Sequence, residues 1–130
     1  MIQRIQTIFL FLAGLMLIIY PWLPDVEINN ETLNALQIPL LAAAAFISAF
    51  IAFMSIFLYK NRPNQRLWSL VSILLILVTI GLHFYYEYSD GDFIFNYGFI
   101  TLPLAIVFCY LAARYILKDE KLVRSMDRLR

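Results

Sequence analysis

His83 is the only histidine in this 130-residue chain, and Glu87 follows it by four positions, so on a helix both side chains leave the same face. An imidazole and a carboxylate placed this way can share a proton. They can also offer a nitrogen and an oxygen to a metal, with Asp90 or Asp92 as further oxygen ligands. Their surroundings point to something plainer. Tyr85, Tyr86 and Tyr88 flank the pair, and Tyr20, Trp22, Phe93, Phe95 and Tyr97 fall at a similar depth, which is the composition of an aromatic belt at a membrane surface. The belt is the preferred reading, and no catalytic residue, metal or cofactor is expected. Asp90-Gly91-Asp92 reads as a turn, because it lacks the spacing and the closing Glu of an EF-hand loop. Cys109 stands alone, cannot form an internal disulfide, and reads as a small packing residue. Asn30-Glu31-Thr32 matches the glycosylation acceptor pattern, but a three-residue match arises easily by chance.

The elements that must position these residues are set by composition. With 62% hydrophobic and 15% charged residues, the chain lies far from the balance of an ordinary soluble domain. A helix needs roughly 20 apolar residues to cross a hydrocarbon core of about 30 Å. Four stretches qualify, at 5–23, 38–59, 67–86 and 99–117, and their only Lys, Arg, Asp or Glu is Arg114, near enough to an end to snorkel. The first stretch follows Arg4 as a signal peptide would. It lacks a small-residue cleavage site and ends in Pro21-Trp22-Leu23-Pro24, so a retained helix is expected. The short connections leave no room for a soluble domain, and 1–130 reads as one all-α, antiparallel four-helix transmembrane bundle.

Charge then orients the bundle. The ten basic residues are Arg4, then Lys60, Arg62 and Arg66, then Arg114, Lys118, Lys121, Arg124, Arg128 and Arg130. The other two connections hold acids alone: Asp25, Glu27 and Glu31 in one, Glu87, Asp90 and Asp92 in the other. Loops rich in Lys and Arg stay cytoplasmic, so both termini and Lys60–Arg66 are expected inside. Pro39 suits the first turn of the second helix, whereas Pro103 either begins the fourth helix or kinks its outer end.

Two surfaces stand out on this scaffold. In the second span Ala44, Ser48 and Ala52 recur every fourth residue, with Ser55, Ala45 and Ala49 beside them, a stripe that lets another helix approach closely. The fourth helix is expected to run on into the cytoplasm through 118–130. Leu122, Met126 and Leu129 form one stripe there, Glu120 precedes Arg124 by four, and Arg124, Arg128 and Arg130 form a basic surface. That tail is either a basic amphipathic helix docked on anionic lipid or a cytoplasmic partner, or a solvated extension that obeys the charge rule.

Several activities lack their requirements. An ion-coupled antiporter needs an ionisable residue near the bilayer centre, a bis-histidine haem protein needs two histidines, and a quinone-linked disulfide generator needs cysteine pairs. The cysteine-paired first loop of claudin-type proteins is missing, as are serine hydrolase, P-loop and zincin motifs. The leading expectation is a noncatalytic accessory or scaffold subunit whose partners are the lipid bilayer and a membrane protein or a second copy of the chain, with no nucleic acid. The alternative is a small transporter or channel subunit active only as an oligomer, with Ser48, Ser55, Ser69, Ser72 and Thr79 as the pore candidates.

The opening Met1-Ile2-Gln3-Arg4-Ile5-Gln6-Thr7 and the closing segment from Lys118 through Leu122-Val123-Arg124-Ser125-Met126 to Arg130 resemble a family of small four-span inner-membrane proteins from Bacteroidota. That family is known as domain of unknown function number 4293. The resemblance spans essentially the whole chain, with the tail as its specific part. It implies a multi-pass protein of the bacterial cytoplasmic membrane with the acidic loops in the periplasm, and it carries over no activity, cofactor or catalytic residue.

Overall fold

The computed structural model describes residues 2–28, 31–88 and 96–129. Four helices hold most of them: α1 (Ile2–Ile19), α2 (Pro39–Phe57), α3 (Arg62–Tyr88) and α4 (Tyr97–Arg128). They pack antiparallel in a ring, each against its neighbours in sequence, with α4 closing on α1. All four are long and apolar enough to cross a membrane. Their outer surfaces agree, since Ile8, Phe11, Ile47, Phe50, Leu74, Leu77 and Val107 are exposed around the perimeter.

The interior is where this bundle departs from a soluble one. The buried residues of α3 are Gln65, Ser69, Ser72, Ile76, Thr79, His83 and Glu87, at spacings of three and four, so all but Ile76 are polar. Its opposite face presents Leu67, Leu70, Leu74, Leu77 and Val78 outward. In lipid this inversion is stabilising, because a polar group facing hydrocarbon has no partner while one facing the bundle can find one. The hydroxyls are satisfied locally. Ser69 donates to the Arg66 carbonyl at 2.7 Å and Thr79 to that of Leu75 at 2.9 Å. Ser72 instead reaches across to the Ser48 carbonyl of α2 at 3.2 Å, and the Cys109 thiol of α4 lies 3.8 Å from the Ser72 hydroxyl, which ties three helices at one level.

Small side chains permit that closeness. Ala45, Ser48, Ala49, Ala52 and Ser55 of α2 are buried, as are Ala105, Cys109, Ala112 and Ala113 of α4. Ser48 and Ala52 lie on this face, while Ala44 is half-buried and its neighbour Ala45 is fully buried. At Gly14 of α1, an added Cβ would come within 2.7 Å of the Phe53 ring, so the α1–α2 contact is built around a missing side chain.

Three boundaries differ from expectation. α3 begins at Arg62, because Pro63 belongs to its first turn, where its missing N–H costs little, so most of Lys60–Arg66 is helix rather than loop. α4 begins at Tyr97, which leaves Pro103 inside the helix rather than at its start. The first connection is not a simple loop: after a 3₁₀ turn at Tyr20–Trp22 it forms an antiparallel hairpin of β1 (Pro24–Ile28) and β2 (Glu31–Asn34). At the opposite end α4 runs uninterrupted to Arg128, with Arg124 donating to Glu120 at 2.6 Å as their spacing implied.

Candidate functional site

The hairpin register carries an irregularity with a consequence for the bundle. Pro24 pairs with Asn34 and Val26 with Leu33, so Asp25 is the extra residue of a β-bulge. A bulge re-aims the side chain of its unpaired residue, and here Asp25 turns into the bundle and is fully buried. There its Oδ2 accepts a hydrogen bond from the Tyr20 hydroxyl and lies 2.9 Å from His83 Nδ1. His83 Nε2 lies 3.3 Å from Glu87 Oε1, and Phe99 packs against the imidazole with ring centroids 4.8 Å apart. Phe84 meets both rings edge-on, at 5.9 Å from His83 and 5.6 Å from Phe99. The result is a buried polar cluster, hydrogen-bonded from Tyr20 through Asp25 to His83 with Glu87 beside it, that joins the end of α1, the hairpin and α3.

A carboxylate can only accept, so Nδ1 carries the proton of the His83–Asp25 contact. The Nε2–Oε1 contact is a close approach at 3.3 Å that lacks the geometry of a hydrogen bond. The Asp25 side chain sits against the start of α4. A Cβ on Gly98 would lie 3.3 Å from Asp25 Oδ1 and 3.0 Å from the Pro24 carbonyl, so glycine lets the helix N-terminus come up to the carboxylate. The unpaired N–H groups and the dipole of a helix start favour an anion there.

His83 and Glu87 are therefore brought together as their spacing implied, but not at the rim of an aromatic belt. Tyr85 and Tyr88 are exposed as belt residues would be, while His83 is 0% and Glu87 2% exposed on the opposite face of α3. The two carboxylates lie on opposite edges of the ring, and no metal-binding cluster occurs among the described residues. Asp90 and Asp92 lie outside the described residues, as does Asn30 of the glycosylation pattern.

Tyr20 and Asp25 carry half of this site and were not singled out by sequence. Tyr20 looked like any interfacial aromatic, and Asp25 is one of three acids in its connection, so nothing in their order distinguishes them. A signal for α3 did exist. Gln65, Ser69, Ser72, Thr79, His83 and Glu87 fall on one helical face, which already marks that side as the one turned from lipid. Ser48 and Ala52 sit on the α2 face toward the interior, and Arg124 and Arg128 are exposed on the last turns of α4. Arg130 lies outside the described residues.

The model of the protein family described as Domain of unknown function (DUF4293) matches residues 2–129. The chain belongs to this family. DUF4293 in this chain is thus a bundle with four candidate membrane spans and a buried polar cluster at its hairpin end. No curated protein and no solved structure matches the chain.

Proposed function

We propose that this protein is a noncatalytic, multi-pass protein of the bacterial cytoplasmic membrane, with both termini cytoplasmic, that acts as an accessory or scaffold subunit of a larger membrane assembly. The observation that carries this reading is the division of its polar groups. Tyr20, Asp25 and His83 are fully buried and bonded to one another, out of reach of a substrate. Among the described residues most exposed charged side chains lie at the basic end, where α4 projects beyond its apolar run with Leu122, Met126 and Leu129 exposed beside Arg124 and Arg128. In this reading the buried cluster is a latch that holds the hairpin on the bundle, and the tail is what a partner binds.

An oligomeric channel is less favoured, because Ser48, Ser55, Ser69, Ser72 and Thr79 are all buried inside one chain rather than displayed for a pore between copies. One observation supports a second reading as a proton-coupled transport subunit: the buried cluster of Tyr20, Asp25, His83 and Glu87, which places four groups able to exchange protons inside the bundle. The deciding experiment is purification in native detergent, followed by identification of copurifying membrane proteins for the full chain and for a chain truncated after Leu117. A defined partner recovered with the full chain and lost on truncation supports the scaffold reading. Proton flux into proteoliposomes of the pure protein, abolished in His83→Phe, would replace it with the second.

A further inference from the structure

A stripe along α4 changes character once along its length. Leu104, Val107, Leu111, Arg114, Lys118 and Lys121 succeed one another at alternating steps of three and four residues, so they lie on one face of the helix. The first three are apolar, with Leu104 and Val107 exposed, and the last three are basic and fall where the apolar run gives way to the charged end. Leu111, Arg114, Lys118 and Lys121, with Tyr115 and Leu117, line an open groove of about 450 Å³. The ring of Tyr115, on the groove's wall, stacks on Phe9 of α1 at 5.7 Å, and Phe9 in turn stacks on Phe108 at 6.2 Å, so this wall is braced against α1.

The charge of this groove is not neutralised within the described residues. Asp119 is engaged by Arg62 at 3.3 Å and Glu120 by Arg124 at 2.6 Å, so both neighbouring acids are drawn toward other cations. Among the described residues no carboxylate forms an ion pair with Arg114, Lys118 or Lys121. Fixing topology requires positive charge at this end but not three cations aligned above an apolar track on one face, since Lys60, Arg62 and Arg66 already supply it.

We infer that this stripe is a binding site for an anionic phospholipid, with the headgroup phosphate held by Arg114, Lys118 and Lys121 and an acyl chain lying along Leu111, Val107 and Leu104. Length fits the assignment. Seven residues of helix separate Arg114 from Lys121, about 10 Å, which suits a headgroup, and a similar length of apolar track runs below it. Clustered Lys and Arg side chains at the membrane surface attract such headgroups by direct charge pairing. The site is independent of whether the tail beyond it binds a protein.

The test is lipid retention by the purified full-length protein after delipidation, measured by native mass spectrometry with phosphatidylglycerol, with zwitterionic phosphatidylethanolamine, and with inorganic phosphate as competitor. At about fivefold per basic residue, three such contacts predict a preference for phosphatidylglycerol of roughly a hundredfold. The variant Arg114→Gln/Lys118→Gln/Lys121→Gln should lose it. The equally discharged Lys60→Gln/Arg124→Gln/Arg128→Gln should keep it. If the first variant fails to fold, Lys118→Gln/Lys121→Gln, which changes only exposed side chains, should lower the preference roughly 25-fold. Equal loss in the control variant would show general electrostatics and overturn the site. So would no preference between the two lipids, or displacement of the lipid by millimolar phosphate.

Discussion

Asp25→Ala tests the latch most directly, because two buried donors depend on one carboxylate. In the native protein Asp25 Oδ2 accepts from Tyr20 and from His83, and the side chains of all three residues are fully buried. Alanine leaves the Tyr20 hydroxyl and His83 Nδ1 without an acceptor. Each orphaned buried group costs about 1–3 kcal/mol, and breaking a buried charged pair from one side costs about 3–5 kcal/mol in total. That is a large part of the roughly 5–15 kcal/mol that holds a typical domain folded. Asp25→Asn keeps an acceptor oxygen of the same size and should cost about 1–2 kcal/mol, the loss of one charge-assisted bond. Glu31→Ala, on the exposed part of β2, serves as the control and should stay within about 0.5 kcal/mol of the unmodified protein. The assay is reversible unfolding of the purified protein in mixed micelles, with limited proteolysis of the hairpin alongside. Loss of stability in the order Ala, Asn, control, together with faster hairpin cleavage in the first, is expected. Should Asp25→Ala unfold within 0.5 kcal/mol of the Glu31→Ala control, with the hairpin equally resistant, the buried cluster does not hold the hairpin and the reasoning fails.

Other outcomes follow from the same packing. Ser48→Leu should destabilise the bundle by about 1–3 kcal/mol through overpacking against α3, measured by the same unfolding assay, and an unchanged midpoint would refute close packing at that level. Gly98→Ala should loosen the hairpin, since its Cβ would approach the Pro24 carbonyl to 3.0 Å, and hairpin proteolysis as slow as in the parent would contradict this. Gly14→Ala should displace the Phe53 ring, 2.7 Å from the added carbon, with a lowered thermal midpoint as the readout. Single cysteines at positions 29 and 89 should label from the periplasm in intact cells, while those at 61 and 125 should label only after permeabilisation. The reverse pattern would invert the proposed topology.

Four spans, their order and the basic end could be read from residue types alone, because the cost of a charge or an open backbone in hydrocarbon is large enough to show in every stretch of sequence. The i,i+4 pairs His83–Glu87 and Glu120–Arg124 were equally legible, since helix geometry fixes such neighbours whatever the tertiary fold. The stripe in α2 was legible only to within one residue. Ala44 and Ala45 are identical side chains, and which of them faces the axis depends on how far α2 is rotated against α3. The hairpin and the role of Asp25 were not legible at all. Three acids in one connection are equivalent until strand pairing sets the register, and it is the one-residue bulge between Pro24 and Val26 that turns Asp25 inward. Tyr20 and His83 then meet it from 5 and 58 residues away, contacts that no local pattern encodes. Sequence determined what must stay out of lipid, a property of single residues and their period. Only the tertiary structure decided which buried polar groups find one another, because partnership depends on distances set by the packing of several elements at once.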